Sequence, residues 1–434
     1  AVEPDPARWR VSVLVVMNGA AAPTLSWMSS AQAEAAAPVL LAEFSGQRVW
    51  SIELGVTRGA AAAEVEYRLG GAASWRFTVP ARSERPRMVY ASCNGFSSLK
   101  AAKSVKEPFA LWREVNEAQA QAPYHLLMLG GDQVYADPMW ETIDDLAEWS
   151  QRGSFLANIT PMSAALAGQV DRFYFELYCK RWAQPQLAAA LASIPTLMMW
   201  DDHDIFDGWG SHPEARQRSP VFQGLFAAAR RWFCVFQLHR RFETATAEFL
   251  ASGANLSYAQ RIDDLAIVTL DLRSERSNTQ VMSPAAWDAA FRWIDRQQGL
   301  KHLILMTSIP VVYVDLATVE DALGFIPGQQ ELEDDLRDHW SSRSHHGERL
   351  RMIHRLLDFG RARGTRVTIV SGDVHVAALG LIESSREGAV QTISQLVSSG
   401  IVHPPAPAIV AYALGKLFGG GETIDRGIEL TMQA

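Results

Sequence analysis

The chain has 434 residues, with 40 Lys and Arg against 48 Asp and Glu for a formal charge of −8, and 48% of its residues are hydrophobic. That composition argues against a disordered polymer, and the acidic balance disfavours general nucleic-acid or anionic-membrane binding. No run approaches the roughly 18–20 apolar residues that span a bilayer, and three cysteines leave no disulfide framework to read. At this length the expectation is two domains, or one domain with large insertions. The opening Ala1-Val2-Glu3-Pro4-Asp5-Pro6 has neither the basic stretch nor the apolar core of an export leader, which favours the cytoplasm. Oligomeric state is left open.

Residues 1–83 read as an all-β module. The runs Arg8–Met17, Val39–Glu43, Val49–Gly55, Glu64–Leu69 and Ser74–Val79 are short and strand-like, and Gly/Ala/Ser-rich turns separate them at sandwich spacing. Catalytic residue types do not cluster there. Residues 84–434 then form a second domain in which strands alternate with helices. Phe109–Gln121 has helical period. A long helical stretch runs from Trp140 to Ala192, broken near Gly153 and Pro161, and another runs from Pro220 to Phe242. These two stretches bracket a polar motif and are expected to wall a pocket. Further strands are expected at Leu265–Leu270, Leu303–Met306 and Arg366–Val370, and Gly419-Gly420-Gly421 reads as a flexible turn.

Four polar clusters follow apolar runs that read as buried strands. Ala91-Ser92-Cys93-Asn94 follows Pro86–Tyr90, and Gly131-Asp132-Gln133-Val134-Tyr135 follows His125–Leu129. Trp200-Asp201-Asp202-His203-Asp204 follows Thr196–Met199, and Ser371-Gly372-Asp373-Val374-His375 follows Arg366–Val370. Ligand-bearing residues at the carboxyl edge of a sheet are how open α/β folds build active sites. The glycines before Asp132 permit an abrupt turn that points its carboxylate off the edge. Three carboxylates around His203 repel one another, which points to bound cations. Asp373 and His375 alternate by two, so an extended segment would project both to one side. Asp137, before Pro138, reads as a turn or cap residue.

Together the clusters resemble the calcineurin-like metallophosphoesterase superfamily, whose usual signature is D-x-H, G-D-x-x, G-N-H-D/E and G-H-x-H. The departures form their own pattern. Cys93 and Gly95 stand for the first Asp and His, Asp202 for the Asn, and Asp373 for the first His of the last motif. S-C-N, G-D-Q-x-Y, D-D-H-D and G-D-V-H are similar to the alkaline phosphatase D, or PhoD-like, branch, over about Pro86 to His403. The resemblance implies a four-layer α/β/β/α sandwich preceded by a small all-β sandwich. It also implies metal-dependent hydrolysis of phosphomonoesters or phosphodiesters by a metal-activated hydroxide at a dinuclear or multinuclear centre. Carried over by position, Asp132 bridges two metal sites. Cys93, Tyr135 and His375 surround one of them, and Asp202 and Asp373 lie at the other or between. His203 takes the place of the histidine on the scissile phosphate. Fe3+ with Ca2+ is the implied metal pair, with Mn2+, Zn2+ or Mg2+ as alternatives; thiolate and phenolate donors suit iron, and all-oxygen donors suit calcium.

Asn94 and Arg273 are the candidate substrate contacts, the latter through a bidentate guanidinium fork. Ser308 falls where the superfamily places another metal-binding histidine. His403 is a candidate for the pocket rim, whereas His339, His345 and His346 read as a solvated face. The expected partner is a small-molecule, lipid or nucleotide phosphate ester. The competing reading is a non-catalytic phosphate or polyanion binder that kept the fold. A serine hydrolase and a P-loop enzyme are disfavoured, because neither G-x-S-x-G nor a complete Walker sequence occurs.

Overall fold

The computed structural model describes residues 7–71, 74–312, 340, 345–372, 375, 377–386, 390–405 and 421–433. Asp373, His339, Gly419 and Gly420 therefore lie outside the described residues.

Seven strands come first: β1 (Arg8–Asn18), β2 (Leu25–Ser29), β3 (Ala33–Ala35), β4 (Val39–Phe44), β5 (Gln47–Thr57), β6 (Ala63–Leu69) and β7 (Ser74–Val79). β5 pairs antiparallel with β1, β3 and β4, and β6 pairs antiparallel with β2 and β7. Alternate residues of the two sheets, including Trp9, Leu54, Val56, Val65, Tyr67, Phe77 and Val79, share one core. The short strands β2 and β3 carry Gly, Ser and Ala at many positions around them, so their hydrophobic pattern is too weak to read from sequence.

The parallel strands β8 (Met88–Ala91), β9 (Leu126–Gly130) and β10 (Thr196–Met199) make a three-stranded sheet in the order β10-β9-β8. Opposite it lies an eight-stranded sheet. Its strands are β11 (Tyr258–Ile262), β12 (Leu265–Thr269), β13 (His302–Met306), β14 (Arg366–Ser371), β15 (Ala377–Ser384), β16 (Gln391–Ser398), β17 (Glu422–Asp425) and β18 (Ile428–Gln433), in the order β11-β12-β13-β14-β16-β15-β18-β17. β12, β13, β14 and β16 run parallel and the outer strands antiparallel.

The layers follow from the period of two along each strand. In β9, Leu126 and Met128 face the large sheet and, with Met199 of β10, meet Leu265, Ile267, Ile304, Met306 and Val370. Leu127 and Leu129 face the other way, onto Trp112 of helix Ala110–Gln121 and onto Leu187 and Ala190 of helix Pro185–Ser193. In the large sheet, Ala266, Val268, Leu303, Leu305, Val367 and Ile369 turn outward. They pack on helices Pro284–Arg296 and His346–Arg363 through residues at helical spacing such as Ala286, Ala290, Ile294, Met352, Ile353 and Leu356. The result is the four-layer α/β/β/α sandwich, with the all-β sandwich before it.

Between β9 and β10 runs a helical insertion, broken at Gly153 and again over 160–163, and helix Pro220–Phe236 follows β10. Ser163, Ser219 and Ser283 each cap a helix by accepting the backbone N–H three residues on. The insertion's aromatic core, with Tyr174, Phe175, Trp200, Phe222 and Trp232, also receives Leu41, Ala42 and Val49 from β4 and β5. The first sheets thus lean on the insertion rather than on the central sandwich alone. Arg58 ties the first sheets to the large sheet as well, donating to both carboxylate oxygens of Asp263 in the turn between β11 and β12, at 3.0 and 2.8 Å, and to the carbonyls of Pro80 and Ala81.

Candidate metal centre

Every parallel strand of the two facing sheets ends at the same place. The loop after β16 crosses from the large sheet to the small one, where the N–H groups of Ile401 and His403 donate to the carbonyls of Ser92 and Cys93, both at 3.1 Å. This brings the polar clusters after β8, β9, β10, β13 and β14 into one buried region. Three of their residues, Cys93 (φ 53°), Asp132 (φ 55°) and His375 (φ 51°), hold left-handed backbone conformations that side chains with a Cβ rarely adopt. Strain of order 1–3 kcal/mol at each such position persists only where surrounding structure overrides it. His375 is thus on a bend after β14 ends at Ser371, and its own backbone is left-handed rather than extended.

Glycines make room for these loops. A Cβ on Gly131 (φ 102°) would meet the Cβ of Asp201 at 2.8 Å. A Cβ on Gly95 would meet the Tyr135 ring at 2.2 Å, so the Tyr135 ring fills the space beside Gly95. Gly95, which the resemblance aligns with the superfamily's first histidine, is thus sterically coupled to Tyr135.

Asp132 is the hub. It is buried, and ligand atoms of Asp132, Asp202 and His203 all lie within 4.8 Å of one another. Its Oδ2 accepts from the Cys93 thiol at 3.6 Å and from the Tyr135 hydroxyl at 3.4 Å, while its Oδ1 has no hydrogen-bond partner among the described residues. Burial, reinforced by the charges of Asp201 and Asp202 and only partly offset by His203, holds its carboxyl well above the usual range. Burial likewise raises the Tyr135 phenol well above its ordinary value, with Cys93 and Asp132 adding to the effect. Cys93 Sγ lies 2.9 Å from Ser399 Oγ, which also accepts the His375 N–H at 2.9 Å. His403 stacks on His375 with ring centroids 3.6 Å apart, and Tyr135 stacks on His203 at 4.3 Å. Burial and neighbouring imidazoles lower His375 well below its ordinary value, and burial brings His403 down to about 4.

The acid-rich loop is less bare than its sequence implies. Arg273, fully buried, donates through Nε to Asp201 and through a terminal nitrogen to Asp202 Oδ1 at 3.2 Å. It also donates to the Trp209 carbonyl at 3.3 Å. Its guanidinium thus meets the carboxylates of Asp201 and Asp202. Asp204 accepts the N–H groups of Asp201 (2.9 Å), Gln133 (3.1 Å) and Val134 (3.2 Å) and the amide of Gln237 (2.9 Å). It therefore fastens the second motif to the third, although burial pushes its carboxyl up to about 7. Asn94 is also turned inward: it accepts from Trp112 Nε1 at 2.8 Å and donates to the Gln133 carbonyl at 3.3 Å. The repulsion expected to demand cations is thus met in part by Arg273 and backbone N–H groups.

Sequence reasoning left Asp137 as a turn residue. Its Oδ2 lies 2.7 Å from His203 Nδ1 and its Oδ1 accepts the Asp207 N–H at 2.8 Å. With Nδ1 committed, Nε2 is the nitrogen His203 turns to the centre. Burial by itself would lower this imidazole, yet the charges of Asp137 and Asp132 outweigh it and hold His203 well above its ordinary value. Ser399 was missed entirely, since nothing in a serine between Ser398 and Gly400 announces a partner for Cys93.

The chemistry of the donors fits metal ions. Asp132 Oδ1 is a buried carboxylate oxygen without a hydrogen-bond partner among the described residues. A buried anionic oxygen left unpaired costs several kcal/mol unless a cation meets it.

Comparison with known proteins follows the same line. The family described as PhoD related phosphatase matches over residues 63–326 and 323–416. The uncharacterized protein YGR266W of Saccharomyces cerevisiae is 27% identical over 435 aligned residues, covering 81% of this chain and 62% of the relative. The chain thus spans less than two thirds of that relative's length. Among solved structures, one titled Structure of PhoD aligns with a TM-score of 0.55 at 14% identity, covering 90% of this chain and 75% of the other, a likeness of fold. A dimetal phosphatase from Danio rerio aligns with a TM-score of 0.37 at 10% identity, covering 74% and 90%.

Proposed function

This chain belongs to the PhoD-related phosphatases, and from that premise we propose that it hydrolyses phosphate esters at the centre built around Asp132. The observation that carries the proposal is the buried Asp132 Oδ1, unpartnered among the described residues, in a cluster whose ligand atoms include those of Asp202 and His203. Cys93, Asp132, Tyr135 and His375 would hold one ion, with Asp202 and Asp373 at or toward a second. Fe3+ with Ca2+ suits that division of soft and hard donors, with Mn2+, Zn2+ or Mg2+ as alternatives. When bound, such ions polarise the phosphate oxygens and make a water nucleophilic near neutral pH.

The protein's own groups do the rest. Asp137 holds His203 in the tautomer and charge state that present an Nε2–H to the phosphate. As the new P–O bond forms and the ester P–O bond breaks, His203 stabilises the phosphoryl oxygens. It then passes its Nε2 proton to the departing alkoxide. Arg273 fixes the orientation of Asp201 and Asp202, and Asn94 holds the turn that carries Cys93. Asp204 locks the loops against movement when substrate arrives. The Cys93 and Tyr135 protons leave when those groups bind metal. Domain roles follow the same division, with residues 1–83 packing the insertion and residues 84–434 carrying catalysis.

The test pairs a monoester and a diester chromogenic reporter, each assayed before and after chelation and after metal is restored. Chelator-sensitive turnover supports the proposal, and the ratio of the two rates ranks the ester class. Metal-loaded protein that binds phosphate but turns over neither reporter would instead favour the non-catalytic binder.

A further inference from the structure

The segment after β16 straps the large sheet to the first motif. The Ser398 carbonyl accepts the Ser92 hydroxyl at 3.0 Å, and the Val402 and His403 N–H groups donate to the Cys93 carbonyl at 3.3 and 3.1 Å. Gly400 (φ 79°) allows this tight turn, since a Cβ there would meet the His403 carbonyl oxygen at 2.8 Å. Between these anchors stands Ser399. Its Oγ lies 2.9 Å from Cys93 Sγ, accepts the His375 N–H at 2.9 Å and lies 3.4 Å from His375 Nδ1. One hydroxyl thus touches two residues, Cys93 and His375, whose left-handed backbones the surrounding structure must hold in place.

A serine hydroxyl has a single proton to give. With the His375 N–H directed at its oxygen, that proton goes either to the Cys93 sulfur or to His375 Nδ1. The sulfur is the nearer of the two, and as a metal-bound thiolate it is the charged acceptor. Two other oxygens beside Cys93 are not donors to it. Ser92 Oγ, at 3.5 Å, gives its proton to the Ser398 carbonyl, and Asp132 Oδ2, at 3.6 Å, can only accept once ionised. A hydrogen bond to a ligating sulfur fixes its direction and lowers the energy of its lone pairs. Partners of this kind typically change metal affinity by about 10- to 100-fold.

We propose that Ser399 is a positioning residue of the metal centre, whose hydroxyl donates to the Cys93 thiolate while its oxygen holds the His375 backbone. This rests on the reading of Cys93 and His375 as ligands and deepens it.

The experiment titrates metal-depleted wild type, Ser399→Ala, Ser399→Thr and Cys93→Ala with Co2+, whose thiolate charge-transfer absorption reports the sulfur directly. Thermal melts confirm that each variant is folded. Wild type is expected to show a band that Cys93→Ala lacks. Ser399→Ala should keep that band but shift it to longer wavelength, because the sulfur lone pairs rise, and should bind Co2+ about 10-fold more weakly. Ser399→Thr keeps the hydroxyl and should match wild type. The band position decides. An unshifted band in Ser399→Ala would leave Ser399 as loop packing and overturn the proposal, as would an equal shift in Ser399→Thr. A wild type without any Cys93-dependent band would instead remove Cys93 from the metal centre, which separates failure of the ligand reading from failure of the proposal. If Ser399→Ala does not fold, Ser399→Gly removes the same hydroxyl and is judged by the same band.

Discussion

Asp204 and Asp132 begin as equals: each is a buried aspartate in a loop that follows a parallel strand. The structure gives them opposite fates. Asp204 receives three backbone N–H groups and one side-chain amide, so its negative charge is consumed by holding two loops together. Among the described residues, Asp132 receives a thiol and a phenol on one oxygen and nothing on the other. A carboxylate fully satisfied by the fold builds a site, whereas one left with open valences works in it. Arg273, turned onto Asp201 and Asp202, is committed to the fold in the same way as Asp204.

Substitutions at the working group should break that comparison most visibly. Asp132→Asn is expected to lose bound metal together with turnover, by about 10³-fold or more, which metal analysis beside kinetics would register. His203→Ala should keep its metal but lose about 10² to 10⁴ in kcat; full activity would remove His203 from the mechanism. Asp137→Asn acts one step away. With that carboxylate charge gone, the His203 pKa should fall toward or below 6.5, a change followed by NMR titration of the metal-free protein. Asp204→Ala, by contrast, strands several buried N–H donors and should cost about 2–4 kcal/mol of stability in a denaturant melt.

The smallest effect lies far from the centre. His239, in a left-handed conformation with Ser12 Oγ 2.8 Å from its Nδ1, sits where the first sheets meet the insertion. Burial, with Arg240 nearby, brings its imidazole down to about 4. A depressed folded-state value means the unfolded chain binds more protons between pH 6.5 and 4. This contribution to stability is therefore present above pH 6.5 and is lost as pH falls toward 4. Because the group is only half-buried, it should amount to on the order of 1 kcal/mol, seen as a flatter acid limb in His239→Gln.

The central strands and their ends were legible because a doubly covered parallel strand is a continuous apolar run, and a cluster such as Asp201-Asp202-His203-Asp204 contrasts sharply with it. The expected run Thr196–Met199 and β10 coincide, and the other three motif strands shift by only one or two residues at an end. The strands β15 to β18, on one side of the large sheet, were not anticipated. One face of them is uncovered, so Thr392, Ser394, Glu429 and Thr431 interrupt their hydrophobicity. Within the site, residue types were readable but valences were not. No local pattern tells that Arg273 faces inward, that Asp137 holds His203, or that Ser399 meets Cys93, because each partnership joins residues at least 66 positions apart.

The account stands most directly on the open valences of Asp132. Elemental analysis of the wild type, Asp132→Asn and Asp204→Asn, each depleted of metal and then reconstituted with iron and calcium, tests it. The account predicts tightly held metal in the wild type and in Asp204→Asn, and its loss in Asp132→Asn. Equal metal content in the wild type and Asp132→Asn, or undiminished ester hydrolysis by metal-free protein, would contradict it.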